Sequence, residues 1–199
     1  MLTFSAALLA GGKSTRMGRD KALLPIPGYD FLWQRQLAVL QQLALLAELQ
    51  PARIFWSGHP RSGIPRNIEI VPDPVIDAGP LAGICGCLQK ISSGHLLVLA
   101  VDLPAMTAPF LRRLLQLGAP GCGVAPRLGE RFEPLAALYP VEILPLAQKH
   151  LAEKRYRLQE FVSAGIASNL LRPHGITPAN QPLFRNLNRP ENLNESTSG

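Results

Sequence analysis

The 199-residue chain is poor in cysteine, histidine, aromatic residues and charge, and each shortage removes a class of protein. Its three cysteines, Cys85, Cys87 and Cys122, are odd in number and sit among apolar or glycine-rich neighbours. That pattern argues against a disulfide framework and reads as reduced core thiols. Cys85 and Cys87 form a C-x-C pair, but no third and fourth ligand follows at a metal-binding spacing. His59, His95, His150 and His174 are scattered without ligand spacing, and Ser14 has no evident histidine or aspartate partner for nucleophilic catalysis. No apolar run is long and clean enough to cross a bilayer. The nearest, "FLWQRQLAVLQQLALLAEL" at 31–49, is broken by glutamines and Arg35 and reads as a buried or amphipathic helix. Residues 1–10 lack a basic start and a small-residue cleavage site, so the expectation is a cytoplasmic protein without a secretory signal and without membrane association. The net charge is +6, yet there is no lysine-arginine block and no aromatic interleaving of the RNA-binding kind. Small anionic substrates fit this pattern better than nucleic acid does.

What is present alternates. Apolar strands are expected at 4–9, 53–58, 68–71 and 95–102, with helices at about 31–48, 80–92 and 108–118 between them. "GVAP" at 123–126 and "PLAALY" at 134–139 read as two more strands around the turn "RLGERFE", and helices are expected over 141–153 and 157–165. Such alternation predicts a single α/β domain, residues 1–190, with a Rossmann-like, mostly parallel central sheet and helices on both faces. Residues 191–199 lose all apolar periodicity and are expected to form a flexible tail. In parallel sheets, ligands bind beyond the carboxyl ends of the strands. That rule gathers three segments on one edge: the loop after the first strand, the segment after 68–71 and the segment after 95–101.

The first of these, "LAGGKSTRMGRDKALL" at 9–24, is the densest in glycine and positive charge. Glycines directly after a buried strand let the backbone turn sharply and let a ligand approach the main chain. Successive N–H groups there can form an anion-binding nest. Two phosphate-loop designs fail. A P-loop needs a glycine five residues before Gly12, where Ala7 stands, and G-x-G-x-x-G needs a glycine sooner than Gly18. Asp102 ends the clearest buried strand and is followed by Leu103-Pro104. Taken alone, it serves equally well as a cap for the next turn. Beside a loop able to bind phosphate, it would be the best-placed carboxylate for magnesium, which is held by one or two carboxylates, phosphate oxygens and water. "VPDPVIDAGPLAG" at 71–83 offers Asp73 and Asp77 ahead of a glycine-proline turn, and by itself it could be an ordinary helix start. In "FRNLNRPENL" at 184–193, Asn186 and Asn188 would share one side of an extended segment, although asparagines before Pro190 also form turns.

Together these motifs resemble the molybdenum cofactor guanylyltransferases. Their signature L-A-G-G-x-S-x-R-M-G-x-D-K is matched by Leu9, Ala10, Gly11, Gly12, Ser14, Arg16, Met17, Gly18, Asp20 and Lys21. "GPLAG", the strand-ending "DLP" and F-x-N-x-N-x-P-x-x-L match further family motifs. The resemblance implies transfer of GMP from GTP to molybdopterin carrying molybdenum, with release of pyrophosphate. It implies that Leu9, Ala10, Gly11 and Gly12 contact the nucleotide through their backbone, and that Arg16 and Lys21 neutralise the triphosphate. Asp102 would hold Mg2+, Asp73 would stand at a nucleotide-contacting position, and Asn186 and Asn188 would bind the pterin. A transient contact with proteins that handle the cofactor is also implied. Departures occur at Ser57, where relatives often carry asparagine, at "GYDFL", 28–32, and at Glu133, where some carry histidine or glutamine. A cytidylyltransferase on the same cofactor, a sugar-phosphate nucleotidyltransferase and a non-catalytic nucleotide-binding adaptor are the alternatives.

Overall fold

Nearly continuous apolar runs cannot lie on a solvated surface, and in this chain they stack side by side in a sheet. A computed structural model of the protein describes residues 2–11, 20–45, 51–92 and 94–187. β1 (Phe4–Leu9) and β4 (His95–Ala100) bury every residue and pair in parallel, from Phe4 against His95 to Leu9 against Ala100. β2 (Ile54–Ser57) adds in parallel to the other side of β1, and β3 (Glu69–Val71) adds in parallel to β2. The registers Leu9 with Ser57, Leu9 with Ala100 and Ser57 with Val71 bring four carboxyl ends to one edge.

The far half of the sheet is mixed. β7 (Ala136–Pro140) runs antiparallel to β4 and lies between it and β5 (Gly123–Leu128). The segment read as the turn "RLGERFE" carries a short strand, β6 (Arg131–Phe132), which closes a hairpin on β5 around Gly129, where φ is +58°. β8 (Leu171–Gly175) pairs in parallel with β5 and was not expected from the sequence. Its Arg172, Pro173 and Gly175 are exposed, so it carries no apolar alternation to announce it.

Helices cover both faces, as the alternation predicts. α1 (Leu32–Leu45) and α3 (Ala108–Leu117) pack with Ala6, Leu8, Leu97, Leu99, Ala136 and Leu138 in one core. α2 (Pro80–Leu88), α4 (Leu144–Ala152) and α5 (Leu158–Ala167) pack with the intervening residues Ala7, Leu9, Leu96, Val98, Ala137 and Tyr139 in the other. The period of two along a strand makes this division inevitable. Among the described residues, no helix is long and apolar enough to cross a membrane. Of the residues singled out in the sequence, Gly12, Lys13, Ser14, Arg16, Met17, Gly18 and Asn188, and the tail 191–199, lie outside those described.

Candidate active site

The site grows from the edge where β1 to β4 end. The Ala10 N–H donates to the Ser57 carbonyl at 2.8 Å, which carries the β1–β2 pairing one step beyond the strands. There Gly11 and Gly58 meet backbone to backbone. A Cβ on Gly58, whose φ is +135°, would lie 2.7 Å from the Gly11 nitrogen. The start of the loop is therefore pressed against the end of β2, with Gly11 exposed at the edge.

The loop is described again from Asp20. This carboxylate accepts the Ala22 N–H at 3.0 Å and so starts a 3-10 turn, Lys21–Leu23. Its other oxygen pairs with Arg61, from the segment after β2. The Arg61 side chain is only 12% exposed and lies over the Trp56 ring, 5.9 Å from the centroid. Asp20 is thus held from both sides, and it fixes the residue that follows. Lys21 reaches across the edge, and its Nζ lies 3.6 Å from Asp102 Oδ2. The sequence-predicted lysine and carboxylate come together although they stand 81 positions apart in the chain.

Asp102 stands two residues beyond β4 and is half-buried. Its Oδ1 is buried and accepts no hydrogen bond from the described residues. Leaving a buried carboxylate oxygen without a donor costs roughly 1–3 kcal/mol or more for a charged group. Such an atom beside a lysine suits a cation or a donor that arrives with a ligand. The described residues hold no group of three or more His, Cys, Asp and Glu side chains that would cage a metal. A divalent cation here would take Asp102 and find its remaining ligands in phosphate and water, the ordinary habit of magnesium. Glu133 lies at the same edge, because β7 enters there antiparallel: the Ala100 N–H bonds the Leu135 carbonyl at 2.8 Å. Burial raises the Glu133 carboxyl above its usual range, the Arg131 charge opposes this, and the Asp102 charge adds to it.

A second cluster sits on the β2–β3 side. Ser57 Oγ donates to Asp73 Oδ1 at 3.3 Å. Partial burial of the Asp73 carboxyl raises its pKa, against the Ser57 hydrogen bond and the His59 charge. Helix α2 passes close behind, and glycine at residue 83 leaves room for the Ser57 hydroxyl. A Cβ at Gly83 would collide with Ser57 Oγ and lie 3.4 Å from both Asp73 Oδ1 and Leu9 Cδ2. Glycine is a poor helix former, by about 1 kcal/mol relative to alanine; here it makes room for a serine–aspartate pair beside the start of the first loop. Ser57 and Gly83 were not among the site residues expected from the sequence. The "GPLAG" motif and the departure from asparagine at residue 57 were the available signals. Asp77, the other acid of that segment, is exposed in a left-handed conformation with φ +61°.

The closing motif also returns to the site. The Leu187 N–H donates to the Asp102 carbonyl at 2.9 Å. Its neighbour Asn186 is exposed beside that contact. Phe184 anchors the segment, edge-on to Phe110 with ring centroids 5.2 Å apart. Of the expected site residues, the structure gathers Leu9, Ala10, Gly11, Lys21, Asp73, Asp102 and Asn186 at one end of the sheet.

A parallel-stranded nucleotide edge, a glycine pair opening the first loop, and a lysine set against a strand-ending carboxylate define a nucleotidyltransferase. The family model of the MobA-like NTP transferase domain matches residues 6–168. The chain is 36% identical over 190 residues to the "Probable molybdenum cofactor guanylyltransferase" of Opitutus terrae, covering 94% of this chain and 91% of that protein. It is 32% identical over 208 residues to the molybdenum cofactor guanylyltransferase of Rhizobium meliloti, covering 96% and 89%. The crystal structure of molybdopterin-guanine dinucleotide biosynthesis protein A from Archaeoglobus fulgidus shares the fold, with a TM-score of 0.72 over 97% of this chain and 96% of that one at 19% identity. The chain belongs to the MobA-like NTP transferase family.

Proposed function

We propose that the protein is a molybdenum cofactor guanylyltransferase, which moves GMP from GTP to molybdopterin carrying molybdenum. The observation that carries this reading is the Lys21–Asp102 pair at 3.6 Å, with Asp102 Oδ1 buried and without a donor among the described residues. A terminal phosphate oxygen of the pterin attacks the α-phosphorus in line. The bond from that phosphorus to the α–β bridging oxygen breaks, and pyrophosphate leaves with the electron pair. No enzyme nucleophile is required, since positioning and charge stabilisation do most of the work in phosphoryl-type transfer. The Leu9–Gly12 stretch contacts the nucleotide through its backbone, with the Ala10 N–H already given to the Ser57 carbonyl, and Arg16 and Lys21 offset charge on the triphosphate and on the departing pyrophosphate. Asp73, oriented by Ser57, accepts from the N1–H and 2-amino donors of guanine. Asn186 and Asn188 contact the pterin. Asp102 would hold Mg2+, which when bound would draw phosphate charge toward itself and stabilise the leaving group.

The partners of this reading are GTP, the molybdopterin substrate and, transiently, proteins that deliver or collect the cofactor. Cytoplasmic residence follows from the same role. Isothermal titration with GTP, CTP, ATP and UTP in magnesium tests it. GTP binding most tightly supports the assignment. Tighter binding of CTP would make this a cytidylyltransferase and leave the reaction class intact. Nucleotide binding without release of pyrophosphate in the presence of the pterin would sink catalysis and leave an adaptor.

A further inference from the structure

Asp102 is placed by its backbone before it is placed by its neighbours, and that backbone is gripped from α1. Gln36 is a fully buried polar side chain, 0% exposed, in a helix whose other inward residues are apolar. Its Nε2 donates to the Ala100 carbonyl at 3.2 Å and to the Leu103 carbonyl at 2.6 Å. These carbonyls lie two residues before and one residue after Asp102. Its Oε1 accepts from Arg35 Nη1 at 2.7 Å, and the same guanidinium nitrogen donates to the Met106 carbonyl at 2.9 Å. Both amide hydrogens and the amide oxygen are used, so the side chain has one orientation. Between them, the carbonyl of Asp102 itself takes the Leu187 N–H.

We propose that Gln36 is a positioning residue for Asp102, fixing the direction in which the carboxylate leaves the end of β4 and thereby the hold of the site on a nucleotide-bound divalent cation. The inference rests on the reading of Asp102 as the cation's carboxylate. A buried amide is costly unless fully paired, and an apolar side chain of similar volume would serve packing alone at least as well. Here the amide spans the turn from α1, and the Leu103 carbonyl it bonds also accepts the Met106 N–H at 3.0 Å. Its two bonds hold the Ala100–Val101 and Leu103–Pro104 peptide planes, one on each side of the two planes that carry Asp102, and an orienting group of this kind is worth about 10–100-fold in metal affinity or activity. The competing account is that Gln36 merely ties α1 to β4.

The test is Mn2+ binding in the presence of GTP, followed by the electron paramagnetic resonance of free Mn2+, on folded protein. Gln36→Met is expected to weaken Mn2+ by about 10–100-fold and to lower kcat by a similar factor, with KM for GTP little changed. Leu40→Val, which opens space in the same α1 core, is expected to lower the melting temperature without moving Mn2+ affinity. Wild-type Mn2+ affinity in a folded Gln36→Met protein would overturn the proposal, as would an equal loss in Leu40→Val. Should Gln36→Met fail to fold, the wild type still decides. The Gln36 side-chain amide resonances should shift when Mg2+ is added to the GTP complex, and unmoved resonances overturn the inference. Asp102→Asn separates the two readings. Unchanged Mn2+ binding in that variant defeats the Asp102 assignment. Weakened binding there, with none in Gln36→Met, defeats only the role of Gln36.

Discussion

Adding one methyl group at Gly83 tests the serine–aspartate cluster directly. In an ordinary helix, glycine to alanine is stabilising by about 1 kcal/mol. At Gly83 the new Cβ collides with Ser57 Oγ, while its next contacts, Asp73 Oδ1 and Leu9 Cδ2, are at 3.4 Å and tolerable. Overpacking of this kind costs about 1–3 kcal/mol, so Gly83→Ala should range from neutral to about 2 kcal/mol destabilising. For a chain of this size, each kcal/mol moves the melting temperature by roughly 2–4 °C. Relief requires the Ser57 hydroxyl to turn away, which breaks its bond to Asp73. Affinity for GTP should then fall by about tenfold, the loss expected when a hydrogen bond to a charged group goes. Ser57→Ala removes the obstruction. In that background Gly83→Ala should be neutral or stabilising, so a double-mutant cycle read by thermal melts should show about 1–3 kcal/mol of coupling, while GTP affinity stays low. Additive melts, with wild-type GTP binding in Gly83→Ala, would show that glycine is not there to make room for Ser57.

Lys21→Ala should cut turnover by about 10²–10³-fold, the usual cost of one preorganised donor at developing charge, with the fold intact. Lys13→Ala should leave most activity. Steady-state kinetics with melting controls decide between them, and a critical Lys13 would mean the loop register is wrong. Burial raises the Asp73 carboxyl, so it gains its proton at a higher pH than an ordinary aspartate as pH falls. The acid limb of kcat/KM for GTP should begin at that higher pH, and Asp73→Asn should abolish the limb; a limb that survives belongs to another group. Cys87 is pushed up to about 12 and Cys85 is also raised, both chiefly by burial. In the native protein a thiol reagent at neutral pH should therefore modify Cys122 at most, and rapid labelling of all three would contradict the packing of α2.

Strands β1 and β4 were legible because being buried on both faces leaves a continuous apolar signature, and Asp102 was legible because it interrupts one. The antiparallel course of β7 was within reach too. Its connection from β5 is far shorter than the crossover that parallel strands need. β8 was not legible, because an edge strand reading "LRPHG" owes its conformation to the partner it pairs with and carries no period of its own. The site divides along the same line. Residues proposed to meet the nucleotide by motif, Lys21 and Asp102 among them, stand out by spacing and charge. Ser57, Gly83 and Gln36 act through close approach and burial. Serine, glycine and glutamine are common residues, and only the three-dimensional neighbourhood gives them meaning.

The bond from Leu187 to the Asp102 carbonyl ties residues that leave the ribosome at very different times. Synthesis runs at about 5–20 residues per second, and amino-terminal parts fold first. Once β4 has emerged, β1 to β4 can already assemble the edge proposed to face the base and phosphates. The turn bearing Asp102 then waits for β7 to close one side and for Leu187 to cap the other. During biosynthesis the half of the pocket proposed for the nucleotide therefore matures before the half that completes it. Under the proposed function, GTP is in a position to act on the nascent chain as a folding ligand before the protein can act on GTP.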